Sequence, residues 1–130
     1  VFLYLKEKRT VTMMILTKDI EQKMRANHAL LLKKQREDDE ESFVSMPVVK
    51  LFGGGACTWL LSDLDDDDIA FGLCDLGFGT PELGYVPMQD LYDMKFPPFG
   101  LPIERDRNWK PNKTLVEYAD EARENGRIIA

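Results

Sequence analysis

One histidine, His28, and two cysteines, Cys57 and Cys74, are the only imidazole and thiol groups in this sequence. That scarcity excludes much chemistry. A structural zinc site takes four Cys or His ligands, more than the chain holds. A Ser–His–Asp or Cys–His nucleophile system needs an available histidine. His28 instead falls on the apolar stripe of a predicted helix, where a half-buried core role suits it. Two cysteines make no disulfide framework. Both lie in apolar segments, where a free thiol behaves as a small hydrophobe, and this predicts a reducing, cytoplasmic home. Long apolar runs are also missing. Val1 to Leu5 is far short of the roughly 20 residues that span a bilayer. Basic Lys6, Lys8 and Arg9 follow that run instead of preceding it, so it does not read as a signal peptide. No membrane, metal or cofactor is expected.

What remains is an ordinary globular composition, 44% hydrophobic and 31% charged over 130 residues, which fits one domain that folds without metal or disulfide. Charge is unevenly spread. Residues 1–36 carry nine basic and three acidic side chains, whereas 37–68 carry ten acidic ones against Lys50 alone. With a net charge of −6, direct nucleic-acid binding is not expected, since it rests on neutralising phosphates with Lys and Arg.

Residues 1–13 read either as an extension or as a strand in which Val1, Leu3 and Leu5 alternate with Phe2 and Tyr4; a single α+β domain is expected over 14–130. Thr17 is a good N-cap, with Asp19 and Glu21 in the following turn. Ile20, Met24, His28, Leu31 and Leu32 recur at helical spacing, predicting a helix over 17–35. Four short apolar runs follow, at 48–52, 57–61, 69–74 and 82–86. Gly53-Gly54-Gly55, the Asp63–Asp68 turn and Gly77–Pro81 separate them. Links this short permit antiparallel pairing but not parallel crossovers, so a meander of four or more strands is predicted. Met88, Leu91 and Tyr92 fit a turn or two of helix, and the Pro97-Pro98 stretch is expected to be irregular. A last helix over 113–125 should bury Leu115, Tyr118, Ala119 and Ala122 and stop at Gly126. Because the strands are apolar in both phases, either helices cover both sheet faces or the second face meets a partner.

Several stretches invite chemical readings. Asp63, Asp65 and Asp67 alternate as calcium-loop ligands do, but the sixth and twelfth positions of such a loop hold Asp68 and Cys74 where glycine and a carboxylate belong. Gly53-Gly54-Gly55 leads into a strand, whereas a phosphate-binding loop leads into a helix. The acidic runs Glu37, Asp38, Asp39, Glu40, Glu41 and Asp63, Asp65, Asp66, Asp67, Asp68 form a candidate acidic surface. The most informative residues are Glu82, Tyr85, Glu104, Arg105, Asp106 and Trp109: carboxylates, an anion clamp and stacking rings, a candidate binding cluster. Paired carboxylates do acid–base work where their environments separate their pKa values. The structural alternative pairs Arg105 with Glu82 and so pins the loop to the sheet.

Met14-Ile15-Leu16-Thr17, Thr58-Trp59, Phe71-Gly72-Leu73, Pro81-Glu82-Leu83-Gly84-Tyr85 and Leu101-Pro102-Ile103-Glu104-Arg105-Asp106 together resemble the domain of unknown function family two-nine-five-eight. Its members are small proteins encoded largely on bacterial plasmids, phages and integrated mobile elements. The resemblance covers about 14–116; the acidic turns seen here are longer, and residues 1–13 lie outside it. It brings no catalytic residues. It implies a setting, and with it a non-enzymatic accessory protein of the bacterial cytosol that binds a protein partner, inhibitors of host defence included. Two other classes stay open. One is an acidic nucleic-acid mimic using Glu37 to Asp68, and the other a small hydrolase or nucleotide-handling enzyme built on Glu82, Glu104, Arg105 and Asp106.

Overall fold

The computed structural model describes residues 11–130; the strand considered for the opening residues lies outside them. The Thr17 hydroxyl accepts the Ile20 amide at 3.2 Å and starts helix α1, Lys18–Arg36. Acidic residues in its first turn and basic ones in its last complement the helix dipole. Of the predicted apolar stripe, Met24 is fully buried, Ile20, His28 and Leu31 are half-buried and Leu32 is exposed. The first half of the helix therefore packs more deeply than the second.

Strands β1 (Val49–Gly53), β2 (Cys57–Leu64), β3 (Ile69–Asp75) and β4 (Glu82–Pro87) form the expected antiparallel meander. Helix α2, Met88–Asp93, follows directly. Two features depart from the sequence reading. Lys95–Phe96 (β5) pairs with Leu101–Pro102 (β6), so the diproline stretch is the tip of a small ribbon. The Phe96 ring lies over Gly53 and Gly54, where an added Cβ at Gly53 would stand 2.3 Å from it. Glu104–Arg105 (β7) then adds a fifth strand beside β1, giving the order β4-β3-β2-β1-β7.

Helices cover both faces of this sheet, which answers the two-phase apolar pattern. Val49, Leu51, Trp59, Leu61 and Ala70 form one core with Ile15, Leu16 and Met24. Leu60 and Leu73 meet Leu115, Tyr118, Ala119 and Ala122 of helix α3, Leu115–Asn125, in a second. A capping box starts α3: the Thr114 hydroxyl accepts the Glu117 amide, and the Glu117 carboxylate accepts the Thr114 amide. Those bonds hold the Glu117 carboxyl below its usual range. Gly126 closes the helix at φ 70°. Between Leu61 and Asp63 the β2–β3 register slips at a bulge, which turns the end of β2 towards α1.

Candidate functional site

The candidate cluster is split between opposite edges of the sheet and the loop after β7. Glu82 and Tyr85 lie on β4, and Arg105 on β7. Four inter-strand spacings separate those strands, about 19 Å. The Glu82–Arg105 pair is therefore not formed. Arg105 Nη1 instead donates to the carbonyls of Met14 at 2.7 Å and Met13 at 3.3 Å, tying β7 to the segment ahead of α1. The sequence pattern alone does not show that β7 returns to the far side of β1, the edge opposite β4. The same separation means that Glu82, Glu104, Arg105 and Asp106 share no pocket, the arrangement a hydrolase built on them requires.

On the β7 edge, Glu104 stands opposite Phe52 and is exposed. The Asp106 carboxylate lies 4.0 Å from Lys50 Nζ, which donates at 2.7 Å to the Ala130 carbonyl. Trp109 packs on the Tyr118 ring, centroids 6.0 Å apart, at the margin of the second core. These contacts bind loop, strand and chain end together.

The candidate acidic surface loses Asp63. Asp63 is buried, 6% exposed, because the bulge turns it inward; it accepts from the Ser62 hydroxyl at 2.8 Å and faces His28 Nδ1 at 3.4 Å. Asp65 caps its own turn, accepting the Asp67 and Ile69 amides at 2.8 and 2.9 Å. Arg25 pairs with Asp68 and Glu21 and donates to the Asp65 carbonyl at 2.6 Å. Asp66, Asp67 and Asp68 remain on the surface, as do Glu37, Asp38, Asp39, Glu40 and Glu41. Asp39 is held below the usual carboxylate range by the Ser42 hydroxyl and Lys34. The two acidic runs meet α1 at Arg25 and just past Arg36, about 16 Å apart along a helix rising 1.5 Å per residue. They make two patches and no continuous ridge.

Both cysteines are free and half-buried. Burial pushes the Cys74 thiol up to about 11, and burial with the nearby Asp75 charge raises Cys57, the opposite of an activated nucleophile. Among the described residues no group of three or more His, Cys, Asp and Glu side chains is placed to hold a metal. No helix among them is long and apolar enough to cross a membrane.

Two surfaces that the sequence reading passed over emerge at the Gly77–Pro81 end of the sheet. One is a groove of about 460 Å³ among Gly55, Thr58, Gly79, Gly126 and Arg127, floored by Asp75. Asp75 is buried, and its carboxylate accepts the Gly77 and Ile128 amides at 2.9 and 3.0 Å, so its work is structural. The other is the β3–β4 hairpin itself. Leu76, Phe78, Leu83 and Tyr85 are all exposed, Phe78 by 82% and Tyr85 by 77%. The Tyr85 ring leans on Phe71 at 4.9 Å and leaves its outer face open. An aromatic between two glycines, Gly77-Phe78-Gly79, was the available signal: such a residue has no neighbours of its own to pack against.

No curated protein and no solved structure matches the chain. Residues 15–129 match the family described as "Protein of unknown function (DUF2958)". That span takes in both cores, the seven strands of the described residues and the exposed hairpin, and the chain belongs to this family.

Proposed function

We propose that the protein is a non-enzymatic binding module that docks an extended strand of a partner protein along β4. The observation behind this is the edge itself. Among the described residues no strand pairs the outer side of β4, and between Glu82 and Pro87 it carries only Leu83, Gly84, Tyr85 and Val86. Natural sheets guard a free edge with charge, proline or a bulge along its length; here the guards stand only at the two ends. A row of free backbone donors and acceptors flanked by exposed Leu83 and Tyr85 suits strand addition, in which backbone bonds supply affinity and alternate side chains specificity. The setting expected from the family resemblance, a mobile element in a bacterial cell, makes a host or element protein the natural partner class, defence proteins included.

Photocrosslinking tests this. Benzoylphenylalanine in place of Tyr85 is expected to capture a partner protein in bacterial cells, and Leu83→Lys to abolish the capture. The same group in place of Trp109 is expected to capture nothing. Crosslinks from position 109 with none from 85 would move the contact to the β1–β7 edge and overturn the reading.

A further inference from the structure

We infer that the strand docked on β4 presents a basic side chain, arginine above all, to a notch at the start of that strand. The inference rests on the edge reading above and names what the edge selects. The notch measures about 190 Å³ and is lined by Cys74, Leu76, Phe78, Thr80 and Glu82. Leu76 and Phe78 give it apolar surface, Thr80 a hydroxyl, and Glu82 is the one charged residue among those that line it. Among the described residues that carboxylate has no cationic partner: the ion pairs of Lys and Arg are made with Glu21, Asp39, Asp68, Asp106, Asp120 and Glu121.

Register decides which partner residue meets it. Glu82 is paired with Cys74 across β3, and directly paired residues on neighbouring strands share a sheet face. A strand added outside β4 therefore places the residue opposite Glu82 on the notch's face. Its neighbours one and three positions along fall opposite Leu83 and Tyr85 on the other face, where apolar side chains belong. The recognised pattern is a basic residue with apolar residues at offsets of one and three.

An arginine matches the notch in each of its parts. Its aliphatic stem covers Leu76 while the charged head stays in water. The guanidinium reaches the Glu82 carboxylate with two parallel donors and lies within range of the exposed Phe78 face. An apolar side chain of equal length leaves Glu82 unpaired, and an acidic one meets it with like charge.

The test uses one residue in place of a strand. The ¹⁵N-labelled protein is titrated with N-acetyl-arginine N-methylamide, with the uncharged citrulline analogue and with the norleucine analogue. Saturable shifts confined to residues 74–82 are expected for arginine. Affinity should be about threefold weaker for citrulline, for norleucine, and for arginine against Glu82→Gln, as loss of one exposed ion pair implies. Equal affinity for arginine and norleucine, insensitivity to Glu82→Gln, or shifts outside the notch would overturn the inference. The probe forms no strand, so the two failures separate. Tyr85-dependent capture without arginine preference removes the notch and keeps the edge. Arginine binding with capture indifferent to Leu83→Lys removes the edge.

Discussion

The Asp75 carboxylate, on the last residue of β3, accepts the amide of Ile128, 3.0 Å away and 53 residues later. Its other oxygen accepts the Gly77 amide, so one buried side chain fixes both the β3–β4 loop and the segment after α3. Asp75→Ala leaves two amide donors without an acceptor and should cost about 2–4 kcal/mol. Asp75→Asn retains one carbonyl oxygen and should cost less. Urea melts give the losses, and faster exchange of the Ile128 amide in Asp75→Ala identifies the anchor. Wild-type exchange at Ile128 would contradict the assignment.

Arg105 offers a second test, because its partners are carbonyls and not Glu82. Arg105→Ala removes two hydrogen bonds at a half-exposed site and should cost about 0.5–1.5 kcal/mol. Glu82→Gln should leave stability unchanged, and a double-mutant cycle should show no coupling between residues this far apart. A coupling above about 0.5 kcal/mol would put the two side chains in contact after all.

How much of this was legible depends on where each structural signal resides. Helix α3 was legible because its cap, apolar spacing and terminal Gly126 are all local. The four-strand meander was legible because short links leave no topological choice. Strand β7 was not: Glu104 and Arg105 have no apolar alternation and pair through backbone alone. Nor could the candidate site be assembled, since which edge β7 joins is set by the path of the β5–β6 ribbon. Arg105 shows the same limit, for carbonyls as partners leave no trace in side-chain pattern. Asp63 reads as the first residue of a turn, whereas β2 runs on to Leu64 past a bulge that nothing in Leu61-Ser62-Asp63 announces.

The end of α1 gives a third prediction. Asp38 sits there with φ 54° and its amide bonded to the Gln35 carbonyl, the position where helices favour glycine. Asp38→Gly removes the left-handed strain from an exposed residue and should raise stability by about 0.5–1 kcal/mol. A loss of stability in thermal melts would show that the Asp38 side chain supports the turn.

Cys74 sets an alkaline limit. Burial raises its thiol to about 11 from an ordinary 9.0, so the folded chain holds this proton more tightly than the unfolded one. The associated stability is fully present below about pH 9 and is lost as pH rises through about 11. The wild type should therefore weaken over that window more than Cys74→Ala does, in urea melts at stepped pH. At pH 8 Cys74 should also react with iodoacetamide far more slowly than a free thiol. Rapid labelling of Cys74 would mean that the site opens to solvent.

The last prediction sets two paired glycines against each other. Gly72 of β3 and Gly84 of β4 are directly opposite, and neither has a positive φ, so available space alone distinguishes them. A Cβ at Gly72 would stand 2.1 Å from the Leu60 carbonyl oxygen and 2.8 Å from the Leu61 Cα. Both atoms belong to the β2 backbone just before the bulge and cannot rotate away as a side chain would. Gly72→Ala must then displace the strand that carries Trp59, Leu60 and Leu61, and should cost about 3 kcal/mol or more. A Cβ at Gly84 meets nothing within 4 Å, and alanine there restricts the unfolded chain, so Gly84→Ala should be neutral or stabilising by up to about 1 kcal/mol. Urea melts of the two single variants decide it. Similar losses at both positions would mean that β2 does not press on β3 at the bulge, and the close approach that shapes this end of the sheet would have to be abandoned.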